Sequence, residues 1–132
     1  MATYVMSDIH NDYAAFADIL KQINFGKEDV LYILGDLFDR GGMKANPVAL
    51  YREIRKRENI FVLRGNHDQW LSEKILDYFA SGKRNPRYFY NTFSLLQNKM
   101  PEVEQLEMAR WIQSLPLYLD IETEVNGEKR KV

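Results

Sequence analysis

At 132 residues, with 45% apolar and 28% charged content, the chain suits one soluble domain with a moderate core. A net charge of −1 removes the overall electrostatic footprint expected of a binder of nucleic acid or anionic membrane. Without cysteine there is no disulfide framework, no thiolate zinc site and no cysteine nucleophile.

The opening Met-Ala-Thr-Tyr-Val-Met-Ser-Asp is too short and too soon acidic for a signal peptide. No apolar run nears the roughly 20 residues that span a bilayer. A soluble cytoplasmic protein with no membrane partner is expected.

Residues 4–6 read as a first strand. Asp12 is placed to cap a helix whose apolar positions Phe16, Ile19, Leu20 and Ile23 recur at helical spacing. Asn24-Phe25-Gly26 ends it, with Gly26 the expected left-handed residue. Residues 30–34 form a continuous apolar run closed by Gly35, the pattern of a strand covered on both faces. Asn46-Pro47 opens a second helix, with proline in the tolerated first turn and Leu50 and Ile54 on its apolar stripe. Arg55, Lys56 and Arg57 follow at its end, where the helix dipole favours cations. That basic run reads as a solvated helix end and not as a substrate patch.

Residues 60–63 are the third strand, and a third helix is expected through Trp70, Leu71, Ile75 and Phe79, ending near Ser81-Gly82. Residues 83–97 read as a loop or lid, with Tyr88, Phe89, Tyr90 and Phe93 packing against the domain. Pro101 opens a last helix carrying Val103, Leu106, Ile112 and Leu115, which Pro116 ends. Residues 118–125 have strand character, and Asn126-Gly127 signals a hairpin turn ahead of a short, charged returning arm. Strands alternating with helices argue for an α/β domain with a largely parallel sheet and flanking helices.

Directly after the three apolar runs stand Ser7-Asp8-Ile9-His10, Gly35-Asp36-Leu37-Phe38-Asp39-Arg40-Gly41 and Arg64-Gly65-Asn66-His67-Asp68. They recur about every 30 residues, roughly one βαβ unit, and hold both histidines of the chain. Ligands of open α/β sheets gather beyond the carboxyl ends of the strands, so the motifs converge there. Asp8, His10, Asp36 and Asn66 supply two carboxylates, an imidazole and an amide oxygen, a mixture that suits Mn, Fe or Zn better than calcium. Asp36 has two oxygens and can bridge two cations. Two metals roughly 3.5–4 Å apart polarise a phosphoryl group and activate a bridging water. Asp39 is suited to orient an imidazole, and Arg40 offers the forked donor that matches phosphate oxygens.

Each motif alone has a plainer explanation: Asp8 as a helix cap, residues 35–41 as a turn with a salt bridge, residues 65–68 as a cap for the next helix. Three such motifs in order, each after a strand and at similar intervals, point to a shared site. No Gly-x-Gly-x-x-Gly follows the first strand, which excludes a dinucleotide-binding module.

On these motifs the chain resembles the calcineurin-like metallophosphoesterases. The likeness is greatest to the branch holding serine/threonine phosphatases and diadenosine tetraphosphatases, whose signatures read G-D-x-H-G, G-D-x-x-D-R-G and G-N-H-E/D. The resemblance implies the N-terminal portion of the family's α/β sandwich, as one metallophosphoesterase domain over residues 1–132. It implies a metal-dependent phosphoester hydrolase with a two-metal site, a metal-bridging hydroxide, and a phosphorylated protein or nucleotide-type phosphoester as substrate. Asp8, His10 and Asp36 would then hold the first metal, and Asp36 with Asn66 would begin the second. His67 would protonate the leaving alkoxide, Asp39 would orient it, and Arg40 would clamp the phosphate.

Ser7 and Asn11 stand where the family has glycine, and asparagine tolerates the left-handed region. The family draws two further metal-binding histidines from later strands, and none follows His67 here. The chain is therefore expected to be the N-terminal part of a longer phosphatase. Partial metal occupancy, a sheet face short of its cover and a tendency to self-associate go with that expectation. The alternative is a catalytically impaired fragment that acts only as a metal- or partner-binding module.

Overall fold

The three apolar runs become three parallel strands, β1 (Thr3–Met6), β2 (Val30–Ile33) and β3 (Ile60–Val62), in the order β1-β2-β3. A computed structural model describes residues 1–81, 91–97, 99–118, 122–125 and 128–131. The register pairs Met6 with Ile33 and Ile33 with Val62, so the strands end level and their following motifs leave from one edge. The crossovers are α1 (Tyr13–Gln22) and α2 (Pro47–Lys56), which pack on each other. Their Phe16, Leu20, Leu50 and Ile54 share one core with Leu31, Ile33, Ile60 and Val62. α3 (Asn66–Ala80) packs along α5 (Glu102–Ser114), and the short α4 (Asn91–Leu96) touches α2 and α3. This is the expected α/β architecture, a parallel sheet flanked by helices. Among the described residues no helix is long and apolar enough to cross a membrane.

The helix ends follow from local chemistry. The Asp12 carboxylate accepts the Ala15 N–H at 3.1 Å, and the Asn46 side chain accepts the Ala49 N–H at 3.3 Å with Pro47 next in line. α1 closes on Asn24 at φ 52°, not on Gly26. The N–H groups of Asn24 and Phe25 reach the carbonyls of Lys21 and Leu20, a paired capping pattern that asparagine's tolerance of the left-handed region permits.

Several elements depart from the sequence reading. α3 begins at Asn66, so the third motif is the opening turn of the helix itself. α5 buries Gln105, Met108, Ala109 and Ile112, while Val103 is 70% exposed. Gln105 is accepted inside because its side-chain N–H groups reach the Met100 carbonyl at 2.8 Å. The segment read as a loop or lid contains α4, whose Phe93 and Leu96 are fully buried; Tyr88, Phe89 and Tyr90 lie outside the described residues. β4 (Glu122–Val125) pairs antiparallel with β5 (Glu128–Lys131), Val125 opposite Glu128, and the Asn126-Gly127 turn signal lies outside the described residues. Residues 30–34 are covered on one face only among the described residues. On the other face Val5, Tyr32 and Phe61 stand in register, with Val5 57% and Phe61 46% exposed.

One buried carboxyl joins two of the motifs. Asp68 Oδ1 accepts the N–H groups of Leu37 at 2.9 Å and Phe38 at 3.0 Å, and Oδ2 accepts that of Gly65 at 3.0 Å. An unpaired buried donor costs about 1–3 kcal/mol, so Asp68→Ala should lower unfolding stability by roughly 2–4 kcal/mol. Asp68→Asn, which keeps one acceptor oxygen, should lose less. Urea denaturation checks both: a midpoint unmoved by Asp68→Ala at constant slope would show that the clamp contributes nothing.

Candidate metal centre at the carboxyl edge of the sheet

Strand pairing continues beyond the strands and carries the first two motifs side by side. The N–H groups of Asp8, His10 and Asn11 donate to the carbonyls of Gly35, Asp36 and Leu37 at 3.3, 3.2 and 3.0 Å. The backbone here is unusual. Asp8, His10, Asn11, Asp36, Asp39 and Arg40 all have positive φ, and the only other non-glycine residue so placed among those described is Asn24. Backbone held in this sparsely populated region costs roughly 1–3 kcal/mol per residue and gathers where function demands a particular aim.

That aim brings Asp8, His10 and Asp36 together. One ligand atom from each lies within 4.8 Å of the others, with Asp8 exposed and the other two half-buried. His10 Nδ1 sits 3.2 Å from the Phe38 carbonyl. A carbonyl can only accept, so Nδ1 carries a proton, which makes Nε2 the ring nitrogen available to a cation. Two carboxylates and one oriented imidazole suit a divalent cation of the Mn, Fe or Zn kind.

His67 stands against this cluster. Its ring centroid is 5.5 Å from that of His10 and 5.0 Å from that of Trp70, edge to face in both cases. Its backbone N–H points to Asp36 Oδ1 at 3.4 Å, and its Nδ1 meets Asp39 Oδ2 at 3.2 Å. Asp39 is only 3% exposed and its Oδ2 faces the imidazole at Nδ1. Asn66 is the first residue of α3, exposed beside His67. Arg40 is exposed too, and its carbonyl accepts the Asn11 side-chain N–H at 3.2 Å.

The plainer explanations divide. Asp12, not Asp8, caps α1. The third motif does cap α3, through Asp68, and also delivers His67 to the cluster. Burial pushes the Asp68 carboxyl up, opposed by the N–H groups of Gly65, Phe38 and Leu37, while the Asp36 carboxylate pushes it further up.

Gly65 makes the approach between motifs possible. A Cβ there would lie 2.3 Å from the Asp36 nitrogen and 2.6 Å from its Oδ1. The sequence marks Asn11 only as a residue that tolerates the left-handed region, includes Asp68 only in a helix-capping segment, and gives Thr92 no role. The spacing of Gly65 and Asp68, a helix cap followed three residues later by a carboxyl, was a legible sign of the Asp68 clamp. Thr92 left no comparable sign, lying in a stretch read as loop.

Residues 1–125 match the family model described as calcineurin-like phosphoesterase. Among curated proteins, the symmetrical bis(5'-nucleosyl)-tetraphosphatase of Proteus mirabilis is 31% identical over 134 aligned residues, covering 100% of this chain and 43% of that protein. The protein of the same name from Acidovorax ebreus is 34% identical over 118 residues, covering 89% of this chain and 38% of its own length. A crystal structure provisionally described as a diadenosine tetraphosphatase superposes with a TM-score of 0.59 at 19% identity, covering 87% of this chain and 47% of that one, and establishes likeness of fold. The chain thus spans less than half the length of these relatives.

Gly65→Ala should drive Asp36 from the cluster, because its Cβ would meet the Asp36 backbone as well as its Oδ1, and moving the side chain alone would not relieve the clash. Overpacking of this kind costs about 1–3 kcal/mol. A crystal structure or amide spectrum of the variant should show residues 35–38 displaced. An unmoved Asp36 would mean that the close approach is not a constraint.

Proposed function

The chain belongs to the calcineurin-like phosphoesterase family, and on that footing we propose that it forms the N-terminal part of a metal-dependent hydrolase of nucleotide-type phosphoesters. The observation that carries this reading is the Asp8–His10–Asp36 cluster lying against the buried Asp39–His67 pair. The names of the relatives favour a dinucleoside tetraphosphate over a phosphoprotein as substrate.

Asp8, His10 and Asp36 hold the first divalent cation in this reading, and Asp36 with Asn66 begins the second. Bound cations would polarise the phosphoryl group and lower the pKa of the attacking water. The chain's own part is to orient and to move a proton. Asp39 keeps the His67 imidazole in one tautomer, His67 donates a proton through Nε2 to the departing oxygen, and Arg40 binds phosphate oxygens through its fork. A cytoplasmic setting accords with a nucleotide substrate and a cysteine-free chain. The sheet face formed by exposed Val5 and Phe61 around half-buried Tyr32 supports self-association.

A second reading, a metal- or partner-binding module without turnover, is favoured by the described residues, which offer the second cation no more than Asp36 and the neutral Asn66. The two are separated by measuring bound manganese and hydrolysis of diadenosine tetraphosphate together. Asp36→Asn should remove metal and turnover at once. His67→Asn should leave metal in place and depress turnover by roughly 10²–10⁴-fold, the usual worth of general acid catalysis. Asp36→Asn retaining its manganese would refute the assignment of the cluster. Manganese binding with no turnover in the unaltered chain would select the second reading.

The exposed sheet face gives a separate expectation. Light scattering should report species larger than a monomer, and Phe61→Lys should shift them toward the monomer. A monomer at all concentrations would remove self-association from the proposal.

A further inference from the structure

Asp39, Arg40, Gly41 and Gly42 form an unbroken left-handed run, with φ of 68°, 61°, 92° and 55°. Two of these are not glycine, and such a conformation persists only where its surroundings over-determine it. Much of that support comes from side chains outside the motif. Asn11, fully buried, donates through Nδ2 to the Arg40 carbonyl at 3.2 Å and to Thr92 Oγ1 at 2.9 Å. Thr92, also fully buried in the first turn of α4, accepts the Asp39 N–H at 2.7 Å through the same oxygen. The Thr92 N–H in turn donates to Asp39 Oδ1 at 3.4 Å. The remaining oxygen, Oδ2, faces His67.

Thr92 therefore grips Asp39 at its backbone and at its carboxylate. We propose that Thr92 is a positioning residue for the proton donor. By fixing the Asp39 backbone and Oδ1 it aims Oδ2 at His67 Nδ1, so that α4 completes a site otherwise built from three strand-end motifs. This rests on the reading of His67 as the acid for the leaving group. Valine has nearly the same shape as threonine, but it would leave the Asp39 N–H and an Asn11 N–H without an acceptor in a buried place. The left-handed run would then relax, and the Asp39 carboxylate would lose its aim.

The test uses Thr92→Val and Thr92→Ser in the full chain with manganese and diadenosine tetraphosphate. In the unaltered chain the Asp39 amide should exchange slowly with deuterium, and in Thr92→Val roughly ten times faster or more. kcat should fall about 10–100-fold, the usual cost of losing an outer partner of a site, while KM and bound manganese stay near their original values. Thr92→Ser should restore both exchange protection and kcat. A folded Thr92→Val with unchanged kcat and a protected Asp39 amide would overturn the proposal, as would Thr92→Ser behaving like Thr92→Val. If Thr92→Val does not fold, the unaltered chain and Thr92→Ser decide. Free exchange of Asp39 in the first, or loss of protection in the second, overturns it. If the unaltered chain has no turnover, the functional reading fails on its own. The positioning is then read from the His67 imidazole resonances, which Thr92→Val should shift and which would count against it if unmoved.

Discussion

The buried carboxyl of Asp68 accepts the N–H groups of Leu37, Phe38 and Gly65, and so ties the loop after β2 to the first turn of α3. Those two segments are about 30 residues apart in sequence, roughly one βαβ unit, and nothing in strand pairing alone would set their distance. With that tie in place, the Gly65 backbone can lie against Asp36, where a side chain has no room. His67 then follows at the second helical position, with its N–H on Asp36 and its ring against His10. The clamp is internal to the protein and uses no group of the cluster it builds. A carboxylate that served as both clamp and ligand would have to divide its oxygens between amides and a cation.

The price of the arrangement is strain. Six non-glycine residues in or directly beside the first two motifs hold positive φ. Aspartate and asparagine, the residues that tolerate the left-handed region best after glycine, take four of those positions. His10 and Arg40 are the exceptions, and both are supported locally. His10 is held through Nδ1 on the Phe38 carbonyl, and Arg40 through its own carbonyl on Asn11. Gly41 is needed beside them because a Cβ there would lie 2.7 Å from the His10 carbonyl oxygen. Strain, close approach and hydrogen bonding thus concentrate in the same few residues, as expected where a site is organised before its ligand arrives.

How much of this was legible in the sequence depended on whether the signal was local. The three strands, the Asp12 and Asn46 caps and the convergence of the motifs were readable because each follows from residues adjacent in the chain. The left-handed tolerance of Asn11 was readable as well, and its φ of 65° agrees. The role of its side chain was not, since its partners Arg40 and Thr92 are 29 and 81 residues away. Gly26 is the closing residue that composition suggests for α1, but the left-handed residue of the paired capping bonds falls two residues earlier, on Asn24. In α5 the apolar pattern misled because Gln105 faces inward. Its amide finds a carbonyl partner there, while Val103 is left in solvent.

The geometry also separates two jobs that a motif list runs together. Asp8, His10 and Asp36 all sit on the paired continuation of β1 and β2, held by backbone bonds to Gly35 and Asp36. In the proposed assignment, holding a first cation therefore draws on no more of the chain than those two strand ends. The His67–Asp39 pair is built differently. His67 comes from α3, Asp39 from the strained loop, and Thr92 from α4, so its aim depends on tertiary packing across three separate elements. Under the proposed assignment, loosening the helical layer should therefore disturb turnover before it disturbs metal binding. Strand ends are well suited to gathering ligands and buried helix starts to fixing an imidazole, and the proposed assignment gives each the task its physics favours.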